Sequence, residues 1–217
     1  MKISYFVICT VLFLAILACS IPFVTSESES TPLPSNVLFQ DDFSDPSSGW
    51  DQVSGEGGLT DYIGGAYRIY VNAENTDIWS NPGLDFTDTQ IEVEATKVGG
   101  DNNNDFGIIC RYQDVNNFYF FIISSDGYYG IGKVVNGEQQ LVGDDSMPPS
   151  EVINQGEDTN LIRADCVGDQ LSLYVNGVKL ADYKDSDFIS GDVGLMAGSF
   201  TIPGTDIHFK NFKVLKP

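Results

Sequence analysis

Residues 106–143, FGIICRYQDVNNFYFFIISSDGYYGIGKVVNGEQQLVG, decide the fold class. Apolar runs rich in aromatic and β-branched residues are separated by Asp114-Val115-Asn116-Asn117, by Asp126-Gly127 and by Asn136-Gly137. Asp-Gly and Asn-Gly supply the positive φ angles that tight hairpin turns demand, and the flanking residues fit a pleated surface. The spacing predicts a β-meander, a run of consecutive antiparallel strands.

The pattern continues outward on both sides. Towards the N-terminus, 37–43 (VLFQDDF) alternates as a first strand, SDPSSG (44–49) turns the chain before Trp50, and 66–71 and 76–80 read as short strands. In 89–98 (TQIEVEATKV), Ile91, Val93 and Ala95 point one way and Glu92, Glu94 and Thr96 the other, the signature of a half-buried strand with a wet outer face. Beyond a Pro-containing connection at 144–158, strands at 161–167, 171–175 and 178–183 are joined by Gly168-Asp169 and Asn176-Gly177. Two closing strands, 192–198 and 206–215, follow. In the last, apolar parity passes from Ile207 and Phe209 to Phe212 and Val214, which predicts a bulge at Lys210-Asn211. Strands about every ten residues without a convincing helix predict an all-β fold, a two-sheet antiparallel β-sandwich.

The N-terminal residues carry a different message. Lys2, an apolar run over 3–17, and the close Ile16-Leu17-Ala18-Cys19 resemble a bacterial lipoprotein signal peptide. That resemblance implies removal of residues 1–18 and lipidation of Cys19. An uncleaved anchor or an ordinary secretory signal would equally export the chain. Residues 19–36, mixing Ser, Glu, Thr and Pro, lack the apolar surface to offset ordering and read as a flexible tether. Residues 37–217 then form a single β-sandwich domain, held in the cell envelope through the N-terminal lipid. The net charge of −20 becomes −21 once Lys2 is removed, with 31 acidic against 10 basic residues, and it excludes a basic nucleic-acid footprint.

Cys110 and Cys166 are the two cysteines of the exported domain, and exported pairs are usually oxidised, the alternative being two buried free thiols. Closing a loop of roughly 57 residues stabilises a fold by about 4 kcal/mol in the chain-entropy model. Phe106, Ile108, Cys110 and Tyr112 share one parity, as do Ile162, Ala164 and Cys166. Strands within a sheet lie ~4.8 Å apart and facing sheets ~10 Å apart, so the bond is expected between neighbouring strands of one sheet. Arg111 and Arg163 would then emerge together on its other face, sharing Asp165 beside Tyr128 or Tyr129. Such a set holds a sugar, rings against C–H surfaces and Arg and Asp on hydroxyls, or else forms a structural cross-strand salt bridge. Trp79 and Tyr70 fit core or surface alike.

Taken together, DDF (41–43), GGDNNNDFGIICRYQDVNNFYFF (99–121), LIRADCVGDQLSLYVNGVKLADY (161–183), SGDVGLMAG (190–198) and FKNFKV (209–214) resemble the concanavalin A-like and laminin-G-like jelly roll. The likeness is nearest to the domain family named for 3-keto-disaccharide hydrolases, common in bacterial exported proteins. It implies a jelly roll of a superfamily that includes lectins, glycosidases and adhesion modules.

Candidate chemistry is sparse. Glu92 and Glu94 lie on one strand face, ~6.6 Å apart by strand rise, and with Asp165 are the candidate acids of a glycosidase. Their strand is similar to the Glu-x-Asp-x-x-Glu strand of laminarinase-like enzymes, but Lys97 stands where the third acid belongs. His208 is the lone histidine, so neither a Ser-His-Asp set nor a histidine zinc site has support. Asp41, Asp42 and Asp206 offer hard oxygen ligands for a structural calcium; no other cofactor is expected. The leading expectation is a surface lipoprotein whose β-sandwich binds carbohydrate or another cell-envelope ligand without assembled catalytic machinery. The alternatives are a glycoside-cleaving enzyme of the 3-keto-disaccharide hydrolase type and a structural or protein-interaction module.

Overall fold

The alternating strands pair into two antiparallel sheets whose inward faces share one core. The computed structural model describes residues 36–143 and 145–217, and among these every regular element is a strand. The expected signal peptide, the Cys19 lipid site and nearly all of the expected tether lie outside the described residues. In chain order the strands are β1 (Val37–Asp41), β2 (Val53–Gly55), β3 (Gly58–Tyr62), β4 (Tyr67–Val71), β5 (Thr76–Ser80), β6 (Thr89–Gly99), β7 (Asn104–Asp114) and β8 (Asn117–Ile123). They continue with β9 (Tyr129–Val135), β10 (Glu138–Leu141), β11 (Asn160–Val167), β12 (Gln170–Val175), β13 (Val178–Lys184), β14 (Asp192–Ser199) and β15 (Thr205–Leu215).

One sheet has nine strands in the order β13-β12-β11-β6-β15-β4-β3-β2, with β1 also paired to β15; the other has six, β10-β9-β8-β7-β14-β5. The meander read from 106–143 is β7 to β10 of the six-stranded sheet. The β6 alternation holds, with Ile91, Val93 and Ala95 fully buried and Glu92 and Glu94 on the outer face. The β15 bulge holds too: the ladder to β6 shifts between Lys210 and Lys213, and Asn211 takes φ 55°. The sequence reading missed the β2–β3 hairpin, whose Glu56-Gly57 turn resembles an ordinary loop. Gly58, at φ 144°, is needed there because a Cβ would collide with the Tyr70 backbone.

Between the sheets lie Ile69, Ile91, Val93, Ile207 and Phe209 from one side and Ile108, Tyr119, Phe121 and Leu195 from the other, all without exposed surface. Each such side chain contributes about 1.5–3 kcal/mol relative to an exposed one.

The Cys110–Cys166 disulfide forms, but across the sandwich: β7 and β11 belong to different sheets, and the Cα atoms are 6.9 Å apart. This corrects the expectation of neighbouring strands. Inward parity fits both arrangements, and here the two sheets approach more closely than the usual ~10 Å spacing.

Candidate functional site

The outer face of the six-stranded sheet is built from residues of the opposite parity to the core. Asp77 and Trp79 come from β5, Met196 and Gly198 from β14, Asp105 and Ile109 from β7, Phe118 and Phe120 from β8, and Gln139 from β10. Strands β5 and β10 are the two edges, and five strand steps of ~4.8 Å would set them about 24 Å apart in a flat sheet. Yet Asp77 and Gln139 line one cleft, close enough for the Gln139 side chain to act on the Asp77 carboxyl, and the Trp79 and Phe118 rings lie 5.5 Å apart. The face is therefore concave. Glycines shape it: a Cβ on Gly132 would strike the Phe120 ring, so that ring folds down onto bare backbone. Ile109, Phe118, Phe120 and Met196 pack there as a second apolar cluster, with Trp79 half-buried at its edge. What remains open is a cleft of about 160 Å³.

At one end of the cleft two carboxylates meet. Gly198 on β14 pairs with Asp77 on one side and with Asp105 on the other, and a Cβ on Gly198 would collide with Oδ1 of both. Asp105 is 2% exposed, and its Oδ1 has no hydrogen-bond partner. Burial, and then the charge of Asp77, hold the Asp105 carboxyl well above the usual range. Burial also raises Asp77, while the Gln139 amide works the other way. Two acids this close do not both ionise readily, so the pair tends to retain a proton between them.

The composite Arg face expected from sequence does not form. Arg111 has φ 52° at a bulge where the β7 ladder shifts after Cys110. The bulge reverses parity, so Arg111 is 2% exposed, and Tyr112 turns outward to stack near Phe118, ring centroids 5.5 Å apart. The Arg111 guanidinium donates to the carbonyls of Thr87 (3.2 Å), Gly168 (2.9 Å) and Phe188 (2.8 Å) and reaches Asp88 at 3.3 Å. It ties loops together and is not open to a ligand.

Arg163 and Asp165 lie on the outer face of the nine-stranded sheet, joined by two bonds of 2.7 and 2.8 Å, with the Arg163 guanidinium over the Tyr174 ring at 4.6 Å. Glu92 stands opposite Arg163 and Lys213, and Glu94 opposite Lys210. That face sets acidic residues opposite basic ones across neighbouring strands. Tyr128 is exposed in the β8–β9 turn beside Pro149, while Tyr129 packs on the core. Neither joins Arg163.

The calcium candidates are committed elsewhere. Asp41 accepts from Phe43 N (2.7 Å), Ser48 Oγ (2.5 Å) and Trp50 Nε1 (3.0 Å), Asp42 from Ser44 N (3.0 Å), and Asp206 is held at two points by Arg68. No three His, Cys, Asp or Glu side chains converge among the described residues, so Asp41, Asp42 and Asp206 are not gathered into one acidic group.

Reading from the sequence passed over Asp77 and Gln139 and left Trp79 undecided. A usable signal was present: Asp77 and Trp79 alternate in TDIWS, and Met196 and Gly198 alternate in GLMAG, each opposite in parity to core residues.

The sequence matches no protein-family model and no curated protein. Solved structures share its architecture. A family-66 carbohydrate-binding module from Bacillus subtilis aligns with TM-score 0.63 and 17% identity over 78% of this chain and 96% of that one. The fold is a jelly roll. A Bacillus subtilis protein of unknown function with a galectin-like fold aligns with TM-score 0.61 and 10% identity over 83% of this chain and 96% of that one. The catalytic domain of an endo-1,3-β-glucanase (laminarinase) from Thermotoga petrophila gives TM-score 0.57 and 10% identity over 83% and 97%. At such identities the likeness establishes a common fold, and function rests on the residues in the cleft.

Proposed function

We propose that this domain binds carbohydrate in the concave cleft of the six-stranded sheet. The observation that carries the reading is Trp79, a half-buried indole at the cleft wall with acceptors and an amide, Asp77 and Gln139, lining the same space. A sugar ring offers an apolar C–H face for the indole and hydroxyls for the polar groups. The cleft, about 160 Å³, is smaller than the roughly 300–1,000 Å³ usual for drug-sized ligands, which suits one or two sugar rings. That solved structures of the same fold include a carbohydrate-binding module and glucanases supports the same class of ligand.

A second reading, glycoside cleavage, is favoured by the Asp77–Asp105 pair. It is the weaker reading because cleavage needs carboxyls about 5–9.5 Å apart, flanking the scissile bond, whereas these two abut over one glycine. Binding without turnover fits the pair better. The Ile16-Leu17-Ala18-Cys19 sequence further supports presentation in the cell envelope by a lipid on Cys19. In cells fed labelled fatty acid, Cys19→Ala should abolish incorporation; persistent labelling would remove the anchor.

A glycan array followed by calorimetry tests the main reading. Wild type should retain at least one oligosaccharide, and Trp79→Ala should weaken it by about tenfold or more, in line with the ~1.5 kcal/mol scale of aromatic contacts. Arg163→Ala should leave it unchanged. Retention of no glycan, or equal binding by Trp79→Ala, would sink the proposal, and release of reducing sugar lost in Asp77→Asn would favour cleavage.

A further inference from the structure

We infer that the Asp77–Asp105 pair anchors an ammonium group, so that the ligand of the cleft is a glycan carrying a free amino sugar. The inference rests on the carbohydrate-binding reading and narrows it.

The cleft has acceptors in excess. Its lining includes Asp77 and no Lys, Arg or His, and Asp105 stands behind with a buried Oδ1 that no donor reaches. A carboxylate accepts about four hydrogen bonds, so the one proton the pair retains and the Gln139 side chain beside Asp77 leave several acceptor positions unfilled. Uronate or sulfate groups would bring like charge into a partly desolvated acidic site. A hydroxyl brings a single donor and no charge. An ammonium brings three donors and the compensating charge, and hydrogen bonds between ionised partners are about twice as strong as neutral ones. Trp79 and Phe118 add ring faces, which attract cations within about 6 Å. A divalent metal is a poorer fit, because calcium takes about six to eight oxygens and no third acidic side chain joins the pair among the described residues.

N-acetylation removes both the charge and two of the donors, and this gives the test. Calorimetry of the full chain in slightly acidic buffer would compare a glucosamine tetramer, its fully N-acetylated counterpart and a neutral glucan tetramer. The free amine should bind about tenfold or more tightly than the other two. Because the whole protein is acidic, a remote variant of equal charge change, Glu92→Gln, controls for diffuse attraction. Asp77→Asn and, independently, Asp105→Asn should each erase the preference for the amine, and Glu92→Gln should keep it. Equal or tighter binding of the N-acetylated or neutral sugar overturns the inference while leaving carbohydrate binding intact. Equal losses in Glu92→Gln and Asp77→Asn also overturn it, since they indicate surface charge alone. Binding of none of the three removes the amino-sugar ligand, and a silent glycan array removes the carbohydrate reading with it.

Discussion

Cys110 and Cys166, 56 positions apart in the chain, join the two sheets through side chains that have no exposed surface. Their bond closes a large loop, worth about 4 kcal/mol by chain entropy. The Cys110→Ala/Cys166→Ala variant should lose stability on that scale in urea titrations while keeping the β-rich circular dichroism spectrum. Burial makes a second expectation: reductant without denaturant should leave the bond intact, and intact-mass analysis after alkylation would read this directly. Two alkylated thiols in the untreated protein would contradict the bond.

Arg111 and Arg163 should behave very differently despite the similarity of their sequence settings. Arg111→Met strands three buried or half-buried carbonyls, each costing about 1–3 kcal/mol when unsatisfied. A loss of about 3 kcal/mol or more is expected in urea unfolding. Arg163→Met breaks a partly exposed pair, worth about 1 kcal/mol or less. Equal effects of the two would contradict the clamp assigned to Arg111.

Stability should fall as pH rises beyond the ordinary carboxylate range. Burial raises Asp77 and Asp105, so the folded state holds protons that the unfolded chain has released above its ordinary carboxylate range. This contribution is fully present below the unfolded value and is lost as pH climbs through the raised folded one. Asp192 shares the direction, again through burial. Asp105→Asn replaces the shared proton with a permanent amide donor. Its melting temperature should therefore decline less steeply with pH than that of wild type. Parallel pH profiles for the two proteins would argue against the acid pair.

Gly198→Ala places a methyl where the two carboxylate oxygens meet. Overpacking of this kind costs about 1–3 kcal/mol, and thermal melts should show it. Adding Asp77→Ala should restore most of the loss by vacating one side of the clash. Without that recovery, the strain would lie in the backbone of β14 instead.

Much of the fold was legible because hairpin turns and alternation are local. Asn136-Gly137 and Asn176-Gly177 both adopt positive φ at both residues, as their turn chemistry demands, and the parity break in β15 did mark a bulge. The β7 bulge was hidden. It falls on Arg111, a residue type with no particular preference for positive φ, so alternation carried past it assigned the wrong face to Arg111 and Tyr112. The partner sheet of Cys110 was equally illegible, because inward-pointing residues of one sheet and of its opposite look alike along the chain. The cleft failed to show for a third reason. Asp77, Asp105, Gly198 and Gln139 become neighbours through the β7-β14-β5 ladder and the curl of the sheet, neither of which any single stretch encodes.

Strand β1 lies along the end of β15, Val37 opposite Leu215, and the Lys216 amide donates to the Asn36 carbonyl at 2.8 Å. The first and last residues of the ladder are thus already in contact, and a linker of a few residues could join them without disturbing either sheet. Circular permutation becomes a practical operation: new termini opened between Gly64 and Gly65, in the exposed turn linking β3 to β4, would keep every sheet pairing, the inter-sheet bond and the concave cleft. The same adjacency makes the domain a natural cassette for insertion into a surface loop of another protein.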